Sequence, residues 1–319
     1  MNIRIKVLTI LNFLIILSCN QIIAQNEKEI LWTTAWSPNG ELIAIGGNVN
    51  SLNIYNADLK LHKSFPVKNT ITRVKWHPSK NMIAVATQLS TEKSFVINLD
   101  SNEKIELTGI SPDGARGIDW NLTGEYLAVA DNDGQILIYN VKGQLIRKFV
   151  NQTNSTKGIT DIAWHPKKNI LTTVTDQIRF LDIEGNLIKS IKHRPEEVML
   201  LSVAWHKSGD FFVTGDYGDE KDKSLLQYWN EKGELLKSID ISIGEYRNLS
   251  WNPDGNRLAT ASDALRIWDT QGNLISVGNS KDYLWGVSWN KNGKKIITSS
   301  TQQRIALWNK KAKKIITIE

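Results

Sequence analysis

Residues 250–269 read SWNPDGNRLATASDALRIWD, and what separates their two tryptophans decides the fold. Trp251 ends a short strand-like run, Asn252-Pro253-Asp254-Gly255 reverses the chain, "RLATAS" runs back, and "LRIWD" begins a third run. The turn chemistry suits a tight antiparallel connection. Proline presets φ, Asn and Asp bond back to their own backbone, and Gly tolerates a positive φ. The stretch carries no reaction signature and reads as architecture.

The same order recurs seven times. The copies are LWTTAWSPNGELIAIGG, ITRVKWHPSKNMIAVAT, ARGIDWNLTGEYLAVAD, GITDIAWHPKKNILTTVT, LSVAWHKSGDFFVTGD, RNLSWNPDGNRLATAS and LWGVSWNKNGKKIITSS. Their aligned tryptophans are Trp36, Trp76, Trp120, Trp164, Trp205, Trp251 and Trp289, 38 to 46 residues apart, the period of four-stranded propeller blades. A third strand follows in each copy (LNIYN, SFVIN, ILIYN, IRFLD, LLQYWN, LRIWD, IALWN), and a fourth such as GQLIRKFV, GNLIKSI or GELLKSI completes it. Residues 29–319 divided among seven copies give each about 42, which leaves no room for a second domain. The expectation is an all-β chain forming a single seven-bladed β-propeller, four antiparallel strands per blade. The seven tryptophans should lie on the innermost strands and fill the space between sheets. The last copy ends in KKIITIE, so the seventh blade should take its outer strand from its own repeat.

From Ile30 to Glu319 the chain resembles the WD-repeat family of β-propellers. Trp268-Asp269 is the strict "WD" pair, Trp229-Asn230 and Trp308-Asn309 are close variants, and Tyr55-Asn56 and Tyr139-Asn140 are looser. The family's Gly-His pair ahead of each repeat is absent. That departure counts against the family's Asp-His-Ser-Trp hydrogen-bond network and suggests a divergent bacterial propeller. The resemblance implies a non-catalytic scaffold that presents a broad face to protein or peptide.

Residues 1–24 read as a secretory signal. MNIRIK supplies positive charge, VLTILNFLIIL an apolar run too short to span a bilayer, and SCNQIIAQ a polar exit. Cys19, the only cysteine, follows IILS, which resembles the lipid-attachment box of bacterial lipoproteins. Two fates compete: cleavage before Cys19 with lipidation, or cleavage after Ala24 to give a soluble exported protein. The expected location is the periplasm or a lipid anchorage on a bacterial envelope membrane, with no intramolecular disulfide and no membrane contact other than through a lipid on Cys19. Loss of Arg4 and Lys6 would leave 37 basic against 33 acidic residues. With so weak a bias and no run of five or more like charges, nucleic acid is not expected as a partner.

Chemistry is sparse. No Gly-x-Ser-x-Gly elbow, phosphate loop, His-Glu-x-x-His or dinucleotide pattern occurs, so no catalytic residue and no cofactor is assigned. His77, His165 and His206 directly follow blade tryptophans where other copies carry Ser37, Asn121, Asn252 and Asn290. A position filled by His, Asn or Ser caps a turn and does not ligate metal. Asp131, Asp133 and Gly134 begin like a calcium loop, but the later glutamate is missing. The acidic loop 215–224 reads as a solvated insertion that could touch a partner or Ca²⁺. The competing function class is an exported propeller enzyme or small-ligand or glycan binder, lactonase-like, using the channel mouth. The short loops leave it little material for a pocket.

The position four residues before each blade tryptophan holds Trp32, Thr72, Arg116, Thr160, Leu201, Arg247 and Trp285. It shares the tryptophan's side of the strand but lies where the chain enters from the loop. In a closed ring Trp285 and Trp32 should come together, with Tyr283 and Tyr246 near the same rim. Trp, Tyr and Arg are the usual anchors of binding surfaces. Trp32, Arg116, Arg247, Trp285, Tyr283 and Tyr246 are therefore the candidate binding residues. The alternative is that Trp32 and Trp285 pack between blades as their seven counterparts do.

Overall fold

The computed structural model describes residues 29–89, 91–150, 158–218 and 224–318. The signal-like segment and Cys19 lie outside them. The described residues form seven antiparallel four-stranded sheets, over 33–66, 71–106, 115–150, 161–191, 200–242, 248–279 and 284–318. Six sheets run inner to outer in chain order, and the sheet over 115–150 has the same nearest-neighbour succession. Each repeat's turn does what its residues dictate. At Gly255 (φ 78°) the amide donates to the Asn252 carbonyl at 2.9 Å, while Asn252 Oδ1 accepts from the Arg257 amide at 3.0 Å.

Burial falls from hub to rim. Second strands such as Met82–Thr87 are buried throughout, because blades cover both of their faces, whereas outer strands such as Leu187–Ile191 are largely exposed. Trp36, Trp76, Trp120, Trp164 and Trp289 are buried, as expected of rings that fill the gaps between sheets. Trp205 and Trp251 are only half-buried. At Trp205 the neighbouring blade supplies Ile170 where the preceding blade has Tyr126, and an apolar groove remains beside the ring. The deepest indoles are on third strands: Trp268 and Trp308 are each 1% exposed.

Inner strands of adjacent blades do not pair as a sheet, so side chains satisfy amides that would otherwise lack partners. Thr33 Oγ1 accepts from the Val74 amide (3.2 Å), Asp119 Oδ2 from Trp164 (3.0 Å), Asp161 Oδ2 from Val203 (3.1 Å) and Ser250 Oγ from Trp289 (3.3 Å). The ring closes in the same way. Ser288 Oγ in the seventh blade accepts from the Trp36 amide at 3.0 Å, and the Leu31 amide donates to the Ser300 carbonyl at 3.1 Å. The outer strand of the seventh blade is Lys314–Ile318, paired with Ile305–Asn309. That blade is completed by its own repeat.

The expectation that the Asp-His-Ser-Trp network is missing fails in one blade. In the fifth blade Trp229 Nε1 donates to Thr214 Oγ1 (2.9 Å), Thr214 Oγ1 donates to His193 Nδ1 (3.1 Å), and His193 Nε2 donates to Asp216 Oδ2 (3.1 Å). The Asp216 carboxylate also accepts from the amides of Gly218 and Leu225. This is the Asp-His-Ser-Trp network with threonine for serine. Lys192 precedes the histidine where the family has glycine. A search for the dipeptide misses it, because the chemistry requires only the imidazole. The sixth and seventh blades keep the first bond alone, Trp268 to Thr260 (3.1 Å) and Trp308 to Thr298 (2.8 Å). In the sixth blade Ser262 stands two places after Thr260 where the aspartate would be, and Arg266 and Asp263 form a bidentate pair beside it. Burial alone would raise the Asp263 carboxyl, but Arg266 and Ser242 hold it down at about 2.

Candidate binding site at the channel mouth

All seven residues that stand four places before a blade tryptophan line one small cup of about 50 Å³ at the end of the central channel, and Arg73 joins them. Strand alternation alone does not produce this convergence. The pairing of inner with second strands skips at Ile71/Arg73, between Arg116's neighbours Ala115 and Gly117, at Leu200/Ser202 and at Leu284/Gly286. Thr72, Arg116, Leu201 and Trp285 are therefore the extra residues of four β-bulges. A bulge leaves its extra residue unpaired and re-aims the side chain. In the remaining blades the strand starts just after the position, at Thr33, Asp161 and Asn248.

The rings of Trp32 and Trp285 meet at 4.8 Å between centroids, tilted by 46°. The Arg247 guanidinium lies 3.7 Å from the Trp285 centroid and 5.9 Å from that of Tyr217, and it pairs with Glu245 at 2.5 Å. Arg73 pairs with Asp161 at 3.2 Å, both side chains being more than nine-tenths buried. Burial pushes the Asp161 carboxyl up, and Arg73 and Lys75 counter it. Arg116 has no carboxylate partner among the described residues. Burial first, and then the positive charges of Arg247 and Arg73, lower its pKa, while an arginine remains charged at neutral pH. The Arg116 Nε, the Arg73 Nε and the Trp32 indole N–H are buried without a hydrogen-bond acceptor. Thr72 and Thr160 spend their hydroxyl protons on the carbonyls of neighbouring blades. The cup is therefore aromatic on one side and cationic across its floor.

The structure thus brings together Trp32, Arg116, Arg247 and Trp285. Tyr283 is exposed, but it stands apart from the cup lining. Tyr246 is corrected: it is fully buried, packed with Val213, Tyr228, Leu249 and Trp268. It lies one place before the mouth position and so faces the core between the fifth and sixth blades. Arg73, Tyr217 and Glu245 were not foreseen. Arg73 lies three places before its tryptophan, and only the bulge at Thr72 gives it access to the cup.

The turn histidines are built into blade junctions. His77 Nδ1 accepts from the amides of Ser79 and Lys80, and its Nε2 donates to the Gly124 carbonyl of the next blade (3.1 Å). His165 and His206 reach Gly209 and Gly255 in the same way. Asp131 is fully buried and accepts from the amides of Ser111, Asp133 and Gln135, so it ties its loop together. No group of three or more potential ligands that could hold a metal occurs among the described residues. The acidic loop 215–224 lies partly outside those residues.

Three family profiles match the chain: WDR19 first beta-propeller over residues 32–202, eukaryotic translation initiation factor eIF2A over 133–287, and WD domain, G-beta repeat over 272–309. Among curated proteins, the Periodic tryptophan protein 2 homolog of Caenorhabditis elegans is 22% identical over 86% of this chain and 30% of its own length. The mouse Intraflagellar transport protein 80 homolog is 22% identical over 85% of this chain and 35% of its own. The mouse F-box-like/WD repeat-containing protein TBL1X is 37% identical over 38% of this chain and 26% of its own. The chain spans about a third of the length of the curated relatives it matches.

Proposed function

Because the chain belongs to the WD-repeat β-propeller family, we propose that it is a non-catalytic interaction scaffold, a rigid disc that holds a protein or peptide partner at the mouth of its channel. The observation that carries this reading is the convergence of seven repeat-equivalent positions on one cup, with Trp32, Trp285, Arg116 and Arg247 among them. Large rings and guanidinium groups give contact area and directional donors at low entropic cost. No group of three or more potential metal ligands accompanies them among the described residues. The proposal extends to location. The charged start, apolar run and polar exit of residues 1–24 support export to a bacterial envelope, with the disc either anchored by a lipid on Cys19 or released after Ala24.

Capture from an envelope extract by the full chain, compared with the Trp32→Ala/Trp285→Ala double variant, tests the binding role. Partners retained by the parent and lost from a folded variant support it, and equal retention by both refutes it. Intact mass of the membrane-extracted protein tests location. A lipid adduct on Cys19 or a chain starting at Gln25 is expected, and a mature protein retaining Met1 excludes export by this route.

A further inference from the structure

Among the described residues, the charges around the cup do not cancel. Arg73 is matched by Asp161 (3.2 Å), Lys75 deeper in the channel by Asp119 (3.3 Å), and Arg247 by Glu245 (2.5 Å). Arg116 is matched by nothing among the described residues, and its Nε is buried without an acceptor. A half-buried guanidinium beside two others is an unfavourable arrangement for a fold that needs only a rigid hub, since charge removed from water is costly unless paired. Trp32 lines the same cup with its ring, its indole N–H being buried away from the opening.

From this we infer that the mouth is an anion socket, in which the Arg116 guanidinium receives a side-chain carboxylate of an extended acidic partner peptide. This rests on the reading of the mouth as the binding surface. The count of charges selects the kind of anion. One uncompensated positive charge is neutralised by one carboxylate, whereas a phosphate dianion would leave a net negative charge in a partly dehydrated site. The cup, about 50 Å³, admits the head group of one side chain and excludes a folded domain, so the flanking backbone would lie across its rim. The Trp32–Trp285 pair offers its faces to the apolar neighbours of that carboxylate.

The test uses the purified full chain and four pools of acetylated, amidated heptapeptides, mixed in sequence except for a central Glu, Gln, phosphoserine or Lys. The parent should retain the Glu pool at least about 10-fold better than the Gln pool, the worth of a charge-assisted hydrogen bond. Arg116→Gln should abolish that preference and melt no lower than the parent, because it removes a charge that the fold does not use. Preference for phosphoserine over Glu would overturn the carboxylate assignment. Equal retention of Glu and Gln pools, lost in Trp32→Ala/Trp285→Ala, would overturn the socket while leaving the binding mouth in place. Retention of no pool, or retention indifferent to every mouth substitution, would remove both. If Arg116→Gln and Arg116→Met both melt markedly lower, the guanidinium is a structural prop and the inference fails.

Discussion

Trp32 and Trp285 sit at opposite ends of the chain, yet their rings are 4.8 Å apart, and Arg247 from a third blade covers Trp285 at 3.7 Å. Both indoles are only half-buried, so they join the first and seventh blades without belonging to either core. Replacing Trp285 by alanine removes one aromatic pair and one cation–π contact, together worth about 1–2 kcal/mol. Trp268→Ala, which empties a fully buried site and leaves Thr260 without its donor, should cost about 3–5 kcal/mol. Urea titrations of the two variants compare them directly. Equal losses would mean that the mouth pair is core packing, the alternative that the sequence left open.

Closure of the ring depends on a glycine that no turn requires. A Cβ on Gly286 would lie 2.7 Å from the Thr34 amide nitrogen and 2.4 Å from Ser299 Oγ. It would thus force the inner strands of the seventh and first blades apart. Gly286→Ala should destabilise by about 1–3 kcal/mol, the usual cost of overpacking. Gly134→Ala provides a contrast, because a Cβ there meets nothing within 4 Å and the penalty is that of its positive φ alone. If Gly286→Ala melts like the parent, the closure contact is looser than its geometry implies.

The ring of blades was legible because each repeat states it locally, with a strand, a tryptophan, a Pro/Asn/Gly turn and a returning strand. Periodicity also placed the seven mouth positions, since equivalent residues in a closed ring must surround the axis. What it could not place was anything set by departures from alternation. Arg73 reaches the cup only because Thr72 is bulged. Tyr246 turns into the core because it stands one residue to the wrong side of Arg247. The His193 network was hidden for a different reason. Its four members come from three separate segments, and only their assembly in space identifies them.

That network sets the stability of the fifth blade. Asp216 is fully buried and receives His193 Nε2, the Gly218 amide and the Leu225 amide, with Arg194 at 3.5 Å. Asp216→Ala would leave these donors buried without a partner, and a loss of about 3–5 kcal/mol is expected. His193→Gln, which preserves a donor and an acceptor, should lose less. Hydrogen exchange resolved by segment should place the loosening in residues 200–242. A His193→Gln variant as stable as the parent would show that the two amides, and not the imidazole, satisfy the carboxylate.

The turn histidines make stability depend on pH in a predictable direction. Burial, as the largest cause, lowers the pKa of His77, His165 and His206 below the ordinary histidine value; contacts with the Gly124, Gly209 and Gly255 carbonyls oppose it only in part. The geometry gives the same sign, because protonating Nδ1 of His77 would point a new N–H at the amides of Ser79 and Lys80, which already donate to it. The unfolded chain therefore binds protons more readily than the native one. The contribution of these residues is fully present above the unfolded value near 6.5 and is lost as pH falls through it toward the lower folded values. The melting temperature should hold steady from pH 8 to 7 and fall from about 6.5 to 5. Asparagine occupies the same position at Asn121, Asn252 and Asn290, where its side-chain oxygen accepts a turn amide without titrating. The triple variant His77→Asn, His165→Asn, His206→Asn should accordingly show a shallower fall between pH 6.5 and 5 than the parent, the remainder coming from carboxylates common to both. Superimposable acid limbs for the two proteins would mean that the histidines do not govern this part of the curve.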